Sequence, residues 1–168
     1  SSAASDVYKR QEEATALYQK NNCKSIIALG GGGPMDVSKA VGVLVKFGGS
    51  IKDYVGVGNV PGPIVPMLAI PTTAGTGSEV TASSVITDAE TSFKFSVISH
   101  EMLPKYVVLD PELIMTAPAS IAAACGVDAL IHALEAHIST DANLFTDAFA
   151  EKAMELIGKN IRRFVANR

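Results

Sequence analysis

The sequence predicts an α/β domain with a parallel sheet, followed by the start of an all-α domain. Residues 25–29 and 67–70 are short apolar runs with the length and composition of buried parallel strands. Each run precedes a loop rich in glycine or hydroxyl side chains, at the strand end where open α/β sheets bind ligands. Strand patterns stop near residue 117, and helical periodicity continues from there. We therefore predict a partial α/β domain over residues 12–116 and the start of a helical domain over residues 117–168.

The composition argues against several classes of protein. A chain of 168 residues with 48% hydrophobic and 18% charged residues has the size and apolar content of a packed domain. A net charge of −3 without a basic cluster argues against a nucleic-acid partner. The apolar stretches are interrupted by Pro or Gly before the ~20 residues of a membrane span, so we expect no membrane association. Cys23 and Cys125 are far apart and lack metal or disulfide spacing, which favours a reducing, cytoplasmic compartment.

The two ends of the chain are unusual. Residues 6–11 (DVYKRQ) resemble the translation of a transposon-end adapter used in sequencing libraries, and five polar or small residues precede them. We predict that residues 1–11 are a non-native leader. No positively charged segment precedes an apolar core there, which argues against secretion. The helical pattern still continues where the chain stops at Arg168, so we expect a fragment of a longer protein.

A run of four glycines, Gly30 to Gly33, connects the first predicted strand to a helix. Residues 12–20 and 35–45 have helical periodicity on either side of the strand at 25–29. Glycines let backbone N–H groups approach an anion closely, and the start of a helix adds partial positive charge. We favour a pyrophosphate-binding loop over a simple tight turn. The run is neither a GxGxxG motif nor a P-loop.

The second strand leads into a loop rich in hydroxyl groups. Residues 48–66 are rich in Gly and Pro and are predicted to form a long surface connection. After the strand at 67–70, residues 71–79 contain Thr72, Thr73 and Thr76. Such hydroxyls commonly cap turns, but from a neighbouring strand they could also face the ligand of the glycine loop. Residues 85–88 and 93–98 are predicted to form a β-hairpin, and residues 106–111 a strand that ends at a proline.

Asp128 and His132 lie four residues apart in a predicted helix. Side chains at this spacing are neighbours, so a carboxylate oxygen and an imidazole nitrogen can converge on one divalent cation. A buried His that is hydrogen-bonded to a nearby Asp is at least as common. The pair lies just inside the helical domain, next to the α/β domain, and clefts between domains are preferred sites for small molecules. It is therefore either half of a metal site or a structural contact.

Taken in order, these motifs resemble those of the iron-containing alcohol dehydrogenases. The resemblance rests on the four glycines with Asp36 and Lys39, and on residues 71–80, 109–111 and 126–135 (GVDALIHALE). It extends from about Cys23 to the end of the chain. It implies a dehydroquinate synthase-like architecture: an N-terminal dinucleotide-binding α/β domain, incomplete here, with a parallel sheet and a β-hairpin, followed by the start of an all-α domain. It also implies a divalent iron held by one Asp and three His.

The resemblance implies roles for individual residues. Asp128 and His132 match two of the metal ligands, and the other two His would belong to a downstream segment that this chain lacks. No catalytic residue beyond the metal ligands is implied. The positions that match cofactor-binding positions are Gly31, Gly32, Gly33, Asp36, Thr72, Thr73, Thr76 and Lys94.

Several positions depart from the family or offer no substitute ligand. The family commonly has Ser where Gly33 stands, so a hydroxyl is lost there. His137 is five residues after His132 and is predicted to point away from the Asp128–His132 face. His100 is predicted to be a solvated loop residue, and Glu135 to form a cap or a salt bridge rather than to bind metal.

We interpret the parent protein as a metal-dependent alcohol dehydrogenase or aldehyde reductase. It would transfer a hydride between NAD or NADP and a small primary alcohol or aldehyde, with Fe²⁺ as the metal and Zn²⁺ as the alternative. The whole protein is expected to form a homo-oligomer. Two alternatives are a zinc-dependent glycerol or polyol dehydrogenase of the same superfamily and a non-catalytic nucleotide-binding module. The 168-residue chain alone is expected to be inactive, because half of the metal ligands are missing.

Overall fold

The computed structural model describes residues 2–88, 91 and 93–166, with side chains from Gln11 onward. The chain forms two compact units. One, the α/β unit, comprises the chain up to Pro71 together with Ser78–Leu109. The other, the helical unit, comprises Thr72–Gly77 together with the chain from Asp110 onward. The helical unit thus begins before the boundary predicted near residue 117, and it includes the short loop that follows the second predicted strand.

The α/β unit contains two α-helices and six strands among its described residues. Its elements are α1 (Ser2–Lys20), β1 (Ile26–Gly30), α2 (Gly32–Phe47), β2 (Gly56–Val57), β3 (Met67–Pro71), β4 (Ser83–Thr87), β5 (Lys94–Ile98) and β6 (Tyr106–Val107). Three short 3₁₀ helices lie between them, at Ile51–Tyr54, Ser78–Val80 and His100–Met102. The predicted strands and hairpin are present with ends shifted by one or two residues, except that the last strand stops at Val107. The tip of the hairpin, at residues 89, 90 and 92, lies outside the described residues.

The strands form two three-stranded sheets. The first has the order β1-β3-β6 and is parallel throughout, with Ile26 opposite Met67 and Leu68 opposite Tyr106. The second has the order β2-β5-β4, in which β4 and β5 form the antiparallel hairpin. Parallel neighbours need a crossover connection, and α2 with the segment that follows it connects β1 to β3. The predicted α/β fold with a parallel sheet and a hairpin is confirmed.

One side of α2 and one face of the first sheet form the core of this unit. Met35, Val43 and Leu44 of α2 pack in one cluster with Ala28 of β1 and Ala69 of β3. The other face of β1 is open in this chain, because Ile27 and Leu29 are 69% and 58% exposed. The sequence predicted a strand buried on both faces. Among the described residues, side chains pack against only one face of β1.

The glycine- and proline-rich connection at residues 48–66 lies mostly at the surface, as predicted, but three of its apolar side chains reach the core. Ile51, Val60 and Ile64 are almost fully buried and belong to the main hydrophobic cluster. Gly42 of α2 makes room for this segment, since a Cβ there would lie 2.9 Å from Ile64 Cδ1. Isolated apolar residues without a period gave no sequence signal for this packing.

Three helices form the remainder of the helical unit: α3 (Pro111–Ile114), α4 (Ala119–Ile138) and α5 (Leu144–Ala166). The sequence prediction treated Gly126 as a break in an apolar run, but α4 continues through it. With 20 residues and a mean hydropathy of 1.4, α4 is long and apolar enough to cross a bilayer by length and composition alone. Core helices of proteins outside membranes also meet that criterion, and α4 carries the Asp128–His132 pair.

Candidate cofactor and metal sites

The glycine run forms the turn from β1 into α2, as predicted. Gly30 has φ +148°, and a Cβ there would lie 2.8 Å from Pro34 Cγ, so this position requires glycine. Gly31 is the N-cap of α2, and none of the described side chains caps it. Because the first N–H groups of a helix lack intrahelical acceptors, Gly32 and Gly33 present donors at the positive end of the helix. This end of α2 can therefore bind an anion such as a phosphate.

Gly33 leaves open space in this turn. A Cβ at Gly33 would meet none of the described atoms within 4 Å. A serine side chain would therefore fit at this position, and glycine is not required there for packing. Its presence leaves the backbone at the start of α2 more accessible to a ligand.

Asp36 and Lys39 form a polar network inside the α/β unit. Lys39 is fully buried, and its Nζ donates to Ser78 Oγ, Thr81 O, Thr81 Oγ1 and Ser83 O at 2.8–3.0 Å. The Asp36 carboxylate accepts from Ser78 Oγ at 2.7 Å and from the Val85 N–H at 3.1 Å. Asp36, which the resemblance places near the cofactor, is thus already hydrogen-bonded within the protein. The network ties α2 to the segment around Ser78.

Burial shifts the pKa of both ionisable groups in this network. Desolvation raises the pKa of Asp36, although the hydrogen bonds from Ser78 and Val85 and the Lys39 charge act in the opposite direction. Desolvation lowers the pKa of Lys39 to about 8, although the charges of Asp36 and Glu79 oppose the shift. The sequence contained a signal for this burial. Lys39 lies midway between Met35 and Val43 at four-residue spacing, on the apolar face of α2.

The hydroxyl-rich loop, Thr72–Gly77, belongs to the helical unit. Thr73 Oγ1 is buried and has no hydrogen-bond partner among the described residues. A buried hydroxyl without a partner is unfavourable, so Thr73 fits a position that a ligand completes. Thr72 and Thr76 are partly buried in the same loop. Lys94, the remaining residue matched to the cofactor site, is exposed at the start of β5, opposite Thr87.

Asp128 and His132 face the same way on α4. His132 Nε2 lies 3.7 Å from Asp128 Oδ1, and the side chains are 51% and 46% exposed. This distance is too long for a hydrogen bond and the side chains are not buried, so the pair differs from a buried, hydrogen-bonded structural His. The described residues contain no group of three His, Cys, Asp or Glu placed to hold a metal. The pair supplies one oxygen and one nitrogen donor, a set that suits both Fe²⁺ and Zn²⁺.

The other two histidines lie elsewhere. His137 Nδ1 is 3.2 Å from Asp147 Oδ1, which is an ion-pair distance without hydrogen-bond geometry, so His137 faces α5. His100 is exposed at the start of a 3₁₀ helix rather than in an irregular loop. Glu135 is exposed on α4.

Two family models match the chain. Residues 7–111 match the model for iron-containing alcohol dehydrogenase, and residues 122–168 match the C-terminal model of the same family. The chain belongs to the iron-containing alcohol dehydrogenase family. The first match covers the α/β unit and the hydroxyl-rich loop, and the second covers the Asp128–His132 pair.

Relatives in the iron-containing alcohol dehydrogenase family include two dehydrogenases of small alcohols. The chain is 44% identical over 155 residues to the NAD-dependent methanol dehydrogenase of Bacillus methanolicus, covering 92% of this chain and 41% of that protein. It is 42% identical over 154 residues to the 1,3-propanediol dehydrogenase of Klebsiella pneumoniae, covering 92% of this chain and 40% of that protein. The chain thus spans about two fifths of the length of these relatives.

Solved structures of the family share the fold. A 1,3-propanediol oxidoreductase superposes with a TM-score of 0.91 at 41% identity, covering 95% of this chain and 42% of that chain. A sulfoacetaldehyde reductase from Bifidobacterium kashiwanohense, solved in complex with NAD⁺, superposes with a TM-score of 0.89 at 37% identity. The superposition covers 95% of this chain and 43% of that chain.

Proposed function

We propose that the whole protein containing this chain is a metal-dependent alcohol dehydrogenase, or aldehyde reductase in the reverse direction. It transfers a hydride between a nicotinamide dinucleotide and a small primary alcohol or its aldehyde. The observation that carries the proposal is the exposed, convergent Asp128–His132 pair, which is not hydrogen-bonded, on a helix that matches the C-terminal family model.

The chain's own residues support cofactor binding. The N–H groups of Gly32 and Gly33 at the start of α2 would bind the pyrophosphate, since no described side chain occupies them as a cap. The buried Thr73 hydroxyl would complete its hydrogen bonding on the nucleotide. We assign the cofactor as NAD, because a methanol dehydrogenase at 44% identity is named as NAD-dependent and a related reductase was solved with NAD⁺.

The proposed metal would be Fe²⁺, held in part by Asp128 Oδ1 and His132 Nε2. When bound, such an ion polarises the oxygen of the alcohol or aldehyde, while the dinucleotide accepts or donates the hydride. Asp128 and His132 would orient the site and remain on the solvent-accessible side of α4. The names of the relatives, which include methanol, 1,3-propanediol and sulfoacetaldehyde, support a short substrate.

Replacing either donor tests the metal assignment. We expect Asp128→Ala and His132→Ala, each made in the whole protein, to lose bound metal and NAD-dependent alcohol oxidation, because a site that loses one ligand binds a divalent ion far more weakly. Metal content by elemental analysis and NADH production are the measurements. The same elemental analysis of the unchanged protein distinguishes iron from zinc.

Glu135→Ala is the matched control, since it removes an exposed carboxylate from the same helix. It should retain both metal and activity. If Asp128→Ala and His132→Ala also retained both, the proposed function would be wrong. If they lost metal while the unchanged protein bound NADH but never oxidised an alcohol, a nucleotide-binding role without catalysis would replace it.

A further inference from the structure

Gly75, in the middle of the hydroxyl-rich loop, lies directly against the backbone of α4. A Cβ placed on Gly75 would be 2.4 Å from the Cys125 carbonyl oxygen and 2.7 Å from Cys125 Cα and Cβ. By contrast, a Cβ on Gly77 in the same loop would meet none of the described atoms within 4 Å. Distances this short do not occur for real side chains, so any residue but glycine at position 75 forces the loop and the helix apart.

The requirement for glycine at position 75 comes from space rather than from backbone conformation. Gly77 has φ +63°, whereas Gly75 is not among the glycines with positive φ. Alanine could therefore adopt the backbone angles of Gly75 without left-handed strain. The nearest atoms belong mainly to the backbone of a regular helix, which cannot rotate away as a flexible side chain could.

Helix α5 packs against α4 at Gly126, next to the Gly75–Cys125 contact. Gly126, the residue after Cys125, is buried, and a Cβ there would lie 3.0 Å from Ile161 Cδ1 of α5. Helices α4 and α5 pack along their lengths in the helical unit. Because α5 restrains α4, a side chain at position 75 would displace the loop more readily than the helix.

The contact joins the two candidate binding elements within one unit. Thr73 and Thr76 flank Gly75, and Asp128 follows Cys125 by three residues, which places it one turn further along the same side of α4. We propose that Gly75 is a positioning residue: it seats the nucleotide-lining threonines on the metal-bearing helix and so fixes their distance from Asp128. This inference rests on the proposed function of the same site.

The variant Gly75→Ala, made in the whole protein, tests the proposal. The loop should shift while α4 stays in place, so the dissociation constant for NADH should rise by about tenfold while the metal content stays unchanged. A displacement of about 1 Å can cost up to about 10²-fold in rate, so kcat for alcohol oxidation should fall as well. NADH fluorescence titration and elemental analysis are the primary measurements, and neither depends on turnover.

Gly158→Ala is the control for an added methyl group, since a Cβ at Gly158 on α5 would meet no described atom within 4 Å. It should bind NADH as the unchanged protein does. Unchanged NADH binding by Gly75→Ala, or loss of metal with NADH binding retained, would overturn the proposal. Failure of the proposed function gives a different result, namely full metal content in Asp128→Ala and His132→Ala.

Limited proteolysis of the unchanged protein by a protease of broad specificity tests the same contact without any substitution. If the loop is seated on α4, cleavage within residues 72–77 should require the same denaturant concentration as unfolding of α4, because the loop must leave the helix before a protease can bind it. Cleavage within the loop while α4 stays folded would contradict the proposal. This measurement does not depend on the folding of Gly75→Ala.

Discussion

Lys39 places an ammonium group in the core of the α/β unit. Full burial of a charge is costly unless hydrogen bonds replace water, and here two backbone carbonyls and two hydroxyls accept from Nζ. All four acceptors lie in residues 78–83, just after the hydroxyl-rich loop. A lysine on the apolar face of a helix therefore acts as an internal cross-link between α2 and that segment.

Replacing Lys39 should destabilise the protein in a pH-dependent way. Lys39→Met leaves buried acceptors unsatisfied, which costs about 1–3 kcal/mol. The pKa of Lys39 is about 8 when folded and 10.5 when unfolded. Between these values the unfolded chain binds more protons, so the Lys39 contribution to the free energy of unfolding rises with pH and is constant below about 8. The difference in stability between the two proteins should therefore widen as the pH rises from 8 to 10.

Urea unfolding of both proteins at several pH values measures this difference. The exposed Lys46 on the same helix provides the control for loss of one positive charge, as Lys46→Met. If the free energy of unfolding had the same pH dependence in Lys39→Met and in the unchanged protein, burial would not perturb the pKa of Lys39.

At the scale of elements, the α4–α5 pair shows how helix ends are specified locally. Asn143 Oδ1 accepts from the N–H groups of Phe145 at 3.0 Å and Thr146 at 3.3 Å, while Thr146 Oγ1 accepts from the Asn143 N–H at 2.8 Å. This reciprocal capping box lies directly before α5. Only residues within one turn take part, so the sequence alone contains this signal.

Loss of this cap should destabilise the helical unit. Asn143→Ala removes the acceptor for two N–H groups and should lower the free energy of unfolding by about 1 kcal/mol. Asn160→Ala is the contrasting variant, because Asn160 is exposed within α5 and alanine is the better helix former there. Thermal or urea unfolding should show a lower stability for Asn143→Ala and no loss of stability for Asn160→Ala. Equal stability of the two variants would contradict the capping role.

Other elements depended on contacts that the sequence pattern does not reveal. Gly126 interrupts an apolar run of the sequence, but α4 continues through it and Gly126 packs against Ile161 of α5. The connection at residues 48–66 lies mostly at the surface, as predicted, but Ile51 and Ile64 are buried in the core. At Gly126, a residue type that usually marks a loop is present for close packing.

At the scale of the whole molecule, the chain has large apolar surfaces that its described residues leave open. On the helical unit, Leu144, Phe145 and Phe149 are 87%, 81% and 78% exposed. One face of β1 is open in the α/β unit. Contiguous apolar surface is characteristic of regions that other protein segments cover, and the chain spans about two fifths of the length of its relatives.

The 168-residue chain alone should therefore show no NAD-dependent oxidation of methanol or 1,3-propanediol. It supplies two donors, Asp128 and His132, and the described residues hold no third one beside them. Catalytic metal sites generally need three or more protein ligands. NADH production by the purified chain with added Fe²⁺ is the measurement, after circular dichroism has verified its helical content. Measurable oxidation of either alcohol by the 168-residue chain would contradict this expectation.

The sequence alone was sufficient to predict strands β1 and β3, the β4–β5 hairpin, the glycine turn at the start of α2 and the shared face of Asp128 and His132. These features depend on periodicity and on residues within one or two turns, so they can be predicted without knowing which segments pack together. The roles of individual cofactor residues and of the metal pair stay predictions.

The contacts between residues that are distant in the sequence became visible only in the folded structure. It placed Lys39 against acceptors about forty residues away, seated Gly75 on Cys125 and turned His137 toward Asp147. A hydrogen bond or a close backbone approach between distant residues depends on how complete elements pack, and no local pattern in the sequence specifies that packing.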